Sequence, residues 1–397
     1  MNAQHRYRRA RQDAETTGAT ANAILYLVSS GTAVTRVSIA RALGVSASTV
    51  TVRVSELIAA GLLTESGQTD STGGRRARLL SITSRSGILL AAAFGRNHVR
   101  CGLLDLSGTL LDVREIHLDV SAGPEAAFSR VIEIWHTLAG GAERSELQGI
   151  GVSLPGPVDS RTGQAVSPAG LPGWNRWGVA DWLRGEFGAA AVVVDNDANA
   201  SALGEFTARA AGGDRPPSGN LMHVKAGSSL GGGLVLQGRV HRGSTWIGGD
   251  IAHVRVAVAG ARPCSCGNIG CLETIAGGRA IIADLREEGI AVADTAELTR
   301  LANLGVPEVS RRVRAAGVVL GETLATLVNF VNPDIVTIGG FLSEARPFLA
   351  AATSMLYDGC HPLATESLRV EQAVSGRDAE VFGIGQLILR QAISALG

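Results

Sequence analysis

The chain has 397 residues, 45% of them hydrophobic, enough for two or three domains with well-buried cores. Formal net charge is zero, yet residues 1–85 hold eleven Arg against five acidic residues, a basic surplus that the remainder balances with acid. No run of eighteen apolar residues occurs, which argues against a membrane span, and the Arg-rich start lacks the apolar centre of a secretory signal.

Residues 1–16, with Arg6, Arg8, Arg9 and Arg11, read as a mobile basic arm, and residues 17–84 as a small DNA-binding unit. A first helix is expected over about 17–29, with Ile24, Leu25 and Val28 on its buried face. Thr35 is an N-cap for a short helix through Leu43, Gly44 breaks the chain, and Ser46 caps a third helix running to Ala60. In that helix Val50, Val54, Leu57 and Ile58 make one apolar stripe, and Ser48, Thr49 and Arg53 lie off it. Two short helices around a glycine turn predict a helix-turn-helix. A polar 67–74 segment between two strand-like runs adds a wing. Ser46, Ser48, Thr49 and Arg53 are the expected groove-facing residues, and Arg75 and Arg76 at the wing's base suit a narrow minor groove. A three-helix protein-interaction module shares the helical pattern. The order of elements, the wing and the local charge together favour double-stranded DNA.

From Gly87 the texture becomes α/β. Gly87 to Phe94, Val99 to Leu106 and Thr109 to about Val120 read as three strands around tight turns. Leu221 to Ala226, a glycine-rich turn and Leu234 to Val240 repeat that layout. Two such halves predict a duplicated unit with a cleft between them, and ligands of such sheets sit at loops beyond strand ends. Three polar loops are candidates: Pro155-Gly-Pro-Val-Asp159, Gly173-Trp-Asn175, and Asp195-Asn-Asp-Ala-Asn199, the last followed by a helix from about Ala200.

Three cysteines, Cys264, Cys266 and Cys271, fall within eight residues, with His253 upstream. Three thiolates and one imidazole complete a tetrahedral shell for Zn²⁺ and leave no position for water, so the site reads as structural. Gly267 and Gly270 permit the tight fold that this needs. A disulfide leaves one cysteine over, and unrelated buried thiols do not explain the clustering. Free Cys101 and Cys360 beside it fit a reducing cytoplasm. Asp250, His253 and Glu273 bracket the cluster, so a metal would hold hydrogen-bonding groups rigidly.

These motifs occur in an order that resembles the ROK family of repressors and sugar kinases, from about residue 18 to the C-terminus, and Asn332-Pro-Asp-Ile-Val-Thr-Ile-Gly-Gly340 extends the match. The resemblance implies a two-lobed actin-like sugar kinase fold (RNase H-like), with residues 85–397 as a sugar-sensing body. One lobe would span about 85–197 with a C-terminal helix from about Ala379, and the other about 198–378. It implies a sugar site of Asn175, Asn196, Asp197, Asp250, His253 and Glu273. Asp250 stands where the family usually has the longer Glu. In a kinase Asp197 would be the general base.

Kinases of the family carry Asp-x-Gly-Gly-Thr-Lys in the first hairpin, and this chain reads Ala93-Phe-Gly-Arg-Asn-His98. Ala93 removes a carboxylate from the metal–phosphate end, and Arg96 fills space where phosphates approach the backbone. No functional ATP site is therefore expected, and Asp197 becomes a relic base. Arg96 binds an anionic effector such as a sugar phosphate, makes a local ion pair or points to solvent. The expected protein is a cytoplasmic transcription regulator, a repressor controlled by a sugar or sugar phosphate. It would act as a homodimer or dimer of dimers on palindromic operators. The alternative is a sugar kinase carrying a DNA-binding domain.

Overall fold

The computed structural model describes residues 21–396 apart from 22, 26, 29–30, 32, 69–77, 84–86, 141–145, 167–170 and 189–190. The basic arm at 1–16, together with Arg75 and Arg76, lies outside the described residues.

The described positions between 21 and 28 are helical, and Ile24, Leu25, Leu27 and Val28 are buried. Helix α1 (Arg36–Leu43) starts at Thr35, whose side chain accepts from the Ser38 N–H while the Ser38 hydroxyl accepts from the Thr35 N–H. Gly44 ends it in the left-handed conformation that glycine adopts freely. Helix α2 (Ala47–Ala59) is capped by Ser46 and buries Val50, Val54 and Leu57. The two helices turn through 118°, within the range of a helix-turn-helix. Strands β1 (Leu63–Gln68) and β2 (Arg78–Ile82) pair antiparallel behind them as the hairpin.

The body holds two five-stranded sheets of the same design. The first orders its strands β5-β4-β3-β6-β9, with β3 (Ile88–Phe94), β4 (His98–Asp105), β5 (Leu110–His117), β6 (Leu147–Leu154) and β9 (Ala191–Asn196). A small hairpin, β7 (Val158–Asp159) with β8 (Gln164–Ala165), interrupts it. The second orders β12-β11-β10-β13-β14, with β10 (Leu221–Ala226), β11 (Leu230–Leu236), β12 (Arg239–Val240), β13 (Ile335–Gly339) and β14 (Arg369–Gln372). In each, the first strand pairs antiparallel with the second and parallel with the fourth. The continuous apolar run of β3 is that of a strand buried on both faces, and β6 and β10 are buried along most of their length.

Helices α3 (Pro124–Ala139) and α4 (Val179–Phe187) cover one face of the first sheet. Helices α6 (Gly278–Glu287), α7 (Thr295–Asn303), α8 (Pro307–Val331) and α9 (Arg346–Gly359) build the core of the second half. Among the described residues α8 alone is long and apolar enough to cross a membrane, and more than half of its most apolar window is buried inside the protein. It is a core helix.

Helix α5 (Asp197–Ala211) and the C-terminal helix α10 (Ala379–Leu396) cross between the sheets. Glycine permits the approach: a Cβ on Gly383 would lie 1.8 Å from the Ala200 carbonyl oxygen, and one on Gly204 2.0 Å from that of Ala379. Val381, Ile384 and Ile388 of α10 share one apolar core with Leu89, Ala91 and Leu104 of the first sheet and with Ile24, Val50, Val54, Leu63 and Leu80 of the N-terminal unit. The helix-turn-helix is thus seated on the body.

Three local expectations change. The helix expected from Ala200 starts at Asp197, because the Asn196 side chain caps it. The glycines at 231–233 lie in strand β11 rather than in a turn. A Cβ on Gly232 would meet the Gly249 carbonyl at 2.1 Å, and one on Gly233 the Ala198 carbonyl at 2.4 Å, so these glycines admit close packing. Strand β5 stops at His117, and a 3₁₀ turn spans Val120–Ala122.

Candidate functional site

A cleft of about 1440 Å³ opens between the two sheets, lined by Arg96, Asn196, Asp197, Lys225, Trp246, Asp250, His253 and Glu273, among others. Strand β9 and helix α5 deliver Asn196 and Asp197, and the segment after β12 delivers Asp250 and His253. The cysteine cluster then returns the chain to Glu273.

Asn196 is spent on the fold. Its Oδ1 accepts from the N–H groups of Ala198 and Asn199 at 2.9 and 3.1 Å, and its Nδ2 donates to the Gly156 carbonyl and to Asp197 Oδ1. Asp197 is similarly held. Its Oδ1 accepts from Asn196 Nδ2 and the Ala198 N–H, and its Oδ2 accepts from Lys225 Nζ at 2.7 Å. Lys225 also meets Glu380 Oε1 at 2.6 Å. Burial alone would lower the Lys225 pKa, but Asp197 and Glu380 outweigh it and raise the value above the ordinary lysine range. Burial pushes the Glu380 carboxyl up, and Lys225 opposes that. No sequence pattern pointed to this triad. The one available signal was a lone lysine in the apolar strand Leu221–Ala226.

Glu273 Oε2 accepts from the Leu230 N–H at 2.6 Å, and Arg279 stands 3.7 Å from Oε1. Burial raises the Glu273 carboxyl, and it raises that of Asp250 too, against the pull of His253. Arg96 faces this group: burial lowers its pKa, Arg279 adds to the lowering, and Glu273 and Asp197 oppose it. Acceptors, donors and one imidazole therefore converge on a concave wall, a set that suits vicinal hydroxyls.

Asn175 is not brought in. It is exposed on the loop after Trp174, and it does not line the cleft. Trp174 itself is buried among Phe94, Phe128 and Trp177 and donates to the Val120 carbonyl at 2.9 Å. That burial turns the next side chain outward.

The ligating atoms of His253, Cys264, Cys266 and Cys271 lie within 4.8 Å of one another. His253 Nδ1 is 3.5 Å from Cys264 Sγ, and Cys266 Sγ is 3.7 Å from Cys271 Sγ. Tetrahedral zinc with metal–sulfur bonds of about 2.3 Å needs sulfurs about 3.8 Å apart, so the donor set fits. Gly267 and Gly270, at φ of 91° and 75°, make the turns. The Glu273 N–H donates to the Ala252 carbonyl and the Leu272 N–H to that of Val254, which couples the cluster to the cleft wall.

In the helix-turn-helix, Ser46, Ser48 and Thr49 are exposed at the start of α2, where the Ser46 hydroxyl lies 2.8 Å from both of the other hydroxyls. Arg53 pairs with Glu56 at 2.7 Å.

Duplicated sheets of order 3-2-1-4-5 around a polar cleft define a sugar-kinase-like two-lobed protein. The sequence pattern of the ROK family matches residues 89–391, and the chain belongs to the ROK family. The xylose repressor of Bacillus spizizenii is 26% identical over 361 residues, which is 90% of this chain and 91% of that protein. A ROK family transcriptional regulator homologous to the E. coli MLC protein superposes with a TM-score of 0.76 at 23% identity, covering 96% of this chain and 97% of its own. The ROK hexokinase of Thermus thermophilus is 30% identical with a TM-score of 0.60, covering 76% of this chain and 97% of its own. Members of the family thus include both repressors and kinases.

Proposed function

We propose that this chain is a cytoplasmic, DNA-binding repressor whose hold on its operator is set by a carbohydrate, a sugar or sugar phosphate, bound in the cleft. The observation that carries the reading is the chain of contacts from the cleft to the DNA-reading unit. Asp197 on the cleft wall holds Lys225, Lys225 holds Glu380, and Glu380 opens helix α10, whose apolar side shares a core with the helix-turn-helix. A ligand that engages Asp197 bears directly on that helix. It shifts operator affinity only by as much as it prefers one arrangement over the other.

In this reading residues 1–16 are a basic arm and 17–84 read DNA. Residues 85–397 sense the sugar, with lobes over 85–197 plus α10 and over 198–378. Asp197, Asp250, His253 and Glu273 bind hydroxyls, and Asn196 positions them as the cap of α5. Two chains pair on a palindromic operator, singly or as a dimer of dimers.

Zinc is the metal we assign to His253, Cys264, Cys266 and Cys271. Its role is structural: it holds four protein ligands and fixes His253 and Glu273 in place. Phosphoryl transfer is not part of the reading. Ala93 supplies no carboxylate, Arg96 occupies the cleft, and the Asp197 carboxylate is ion-paired.

The test is operator capture. Genomic fragments retained by the zinc-loaded chain at physiological salt would be sequenced, and the best would be titrated by fluorescence anisotropy with and without D-xylose, D-glucose, N-acetyl-D-glucosamine and their phosphates. The reading expects one compound to change affinity at least tenfold. It is wrong if no fragment is preferred, or if no carbohydrate changes the affinity for a preferred one.

A further inference from the structure

The loop from His241 to Asp250 leaves the second sheet and reaches the first. Its Arg242 donates through Nε to Asp195 Oδ2 at 2.8 Å, at the end of β9. Four residues on, Trp246 has a φ of 63°. That left-handed conformation is a genuine outlier for a bulky side chain, and such strain persists where the surrounding structure holds it, often at ligand clamps. Glycines flank the position at 243, 248 and 249, yet an indole stands where glycine would cost nothing.

Trp246 lines the same cleft as Asp197, Asp250, His253 and Glu273. One face of its ring is covered by the guanidinium of Arg161, 4.6 Å from the centroid. Arg161 comes from the β7–β8 hairpin, its side chain is 76% exposed, and its ion pair with Asp159 is long at 3.5 Å. A cation–π contact at such an exposed site is weak. It does not account for a strained aromatic residue on the cleft wall.

A sugar ring has a hydroxyl edge and an apolar face of C–H bonds. Carboxylates and an imidazole serve the edge. The electron-rich face of an indole, which already draws a cation here, serves the C–H face. The cleft volume of about 1440 Å³ exceeds the roughly 300–1,000 Å³ of ordinary small-ligand pockets, so there is room for a sugar ring beside Trp246.

We propose that Trp246 is a stacking platform for the ring face of the carbohydrate effector, with Arg161 as the placeholder that the sugar displaces. This rests on the reading that the cleft takes a carbohydrate. It adds an aromatic residue on the segment that also carries Asp250 and His253.

The experiment compares the full zinc-loaded chain with Trp246→Gly, Trp246→Phe and Arg161→Ala, titrated calorimetrically with D-xylose, D-glucose and N-acetyl-D-glucosamine. Trp246→Gly relieves the backbone and removes the ring, so its Tm should equal or exceed that of the parent while affinity for the bound sugar falls at least fivefold. Trp246→Phe should stay within threefold of the parent, and Arg161→Ala should bind at least as tightly as the parent. Trp246→Gly binding the sugar within twofold of the parent overturns the platform alone. A parent chain that binds none of the three sugars overturns both the platform and the carbohydrate reading.

Discussion

Lys225 Nζ lies 2.7 Å from Asp197 Oδ2, so the carboxylate best placed to be a general base is already paired with the one lysine of the chain. A base must accept a proton from the substrate hydroxyl, and this one accepts from an ammonium, an amide and a backbone N–H. Those three donors occupy lone pairs of Asp197 in the direction of Lys225, Asn196 and the Ala198 N–H, and a substrate hydroxyl must compete with them.

The first expected outcome concerns turnover. Kinases typically transfer about 1–100 phosphoryl groups per second. With ATP, magnesium and a sugar panel, this chain is expected to fall at least roughly 10⁴-fold below that range, since a missing metal carboxylate and an engaged base compound each other. A coupled ADP-release assay measures it. Turnover near the ordinary range would reverse the assignment of Asp197 as a hydroxyl-binding residue.

The triad itself can be weighed. In Lys225→Met, Asp197 and Glu380 face each other without a cation. Breaking a fully buried pair costs about 3–5 kcal/mol. The Lys225 side chain is 26% exposed, so roughly 2 kcal/mol is the expected loss in urea denaturation. Adding Glu380→Gln removes one of the two repelling charges and should recover part of it, a non-additivity expected only of groups in contact. If the triad relays the effector, Lys225→Met should still bind operator and respond less to sugar. A sugar response equal to the parent's would remove the triad from the relay.

Much of the fold was legible because its signals are local. Thr35, Gly44 and Ser46 mark the ends of α1 and α2, and the apolar runs at 88–94 and 221–226 stand where strands form. The cysteine spacing likewise carried its own geometry. The site was legible only in part, because one residue type serves two ends. Asn196 reads equally as a ligand and as a helix cap, and the structure uses it as a cap. Trp174 and Asn175 read as a loop for ligand, but the indole belongs to the first lobe's aromatic core. Nothing local marks Lys225, because its partners come from elements remote in sequence. The same holds for His223. Fully buried between Ser201 and Thr337, its imidazole is pushed by burial down to about 4 and stays neutral, joining α5 to β10 and β13.

The proposed zinc site makes a prediction independent of DNA. Cys266 is exposed, so Cys266→Ser removes a ligand with little change in packing. The parent should hold one zinc per chain by elemental analysis, and the variant should lose it to a mild chelator. Sugar affinity is expected to fall as well, because the backbone that carries His253 and Glu273 loses its metal brace. Full sugar affinity in the metal-free variant would mean that Glu273 and His253 are held without the cluster.

Arg53 offers the sharpest test of the DNA-reading unit. It pairs with Glu56 one turn along α2, with side chains 25% and 55% exposed. Such helical pairs contribute only about 0.3–0.5 kcal/mol, well below the roughly 1–3 kcal/mol of a good contact to a base edge. A base contact therefore outweighs the Glu56 pair. Arg53→Ala is expected to weaken operator binding about tenfold or more and to relax specificity at the contacted position. Glu56→Ala removes a competing carboxylate and an anion near the phosphates, so it should tighten binding several-fold, more at low salt. Arg75→Ala, outside the described residues, should instead reduce the slope of log affinity against log salt by about one and leave specificity unchanged. Anisotropy titrations of operator and scrambled DNA at three salt concentrations separate these effects. An Arg53→Ala variant that loses equal affinity for both DNAs would make Arg53 a phosphate contact and move base reading to Ser48 and Thr49.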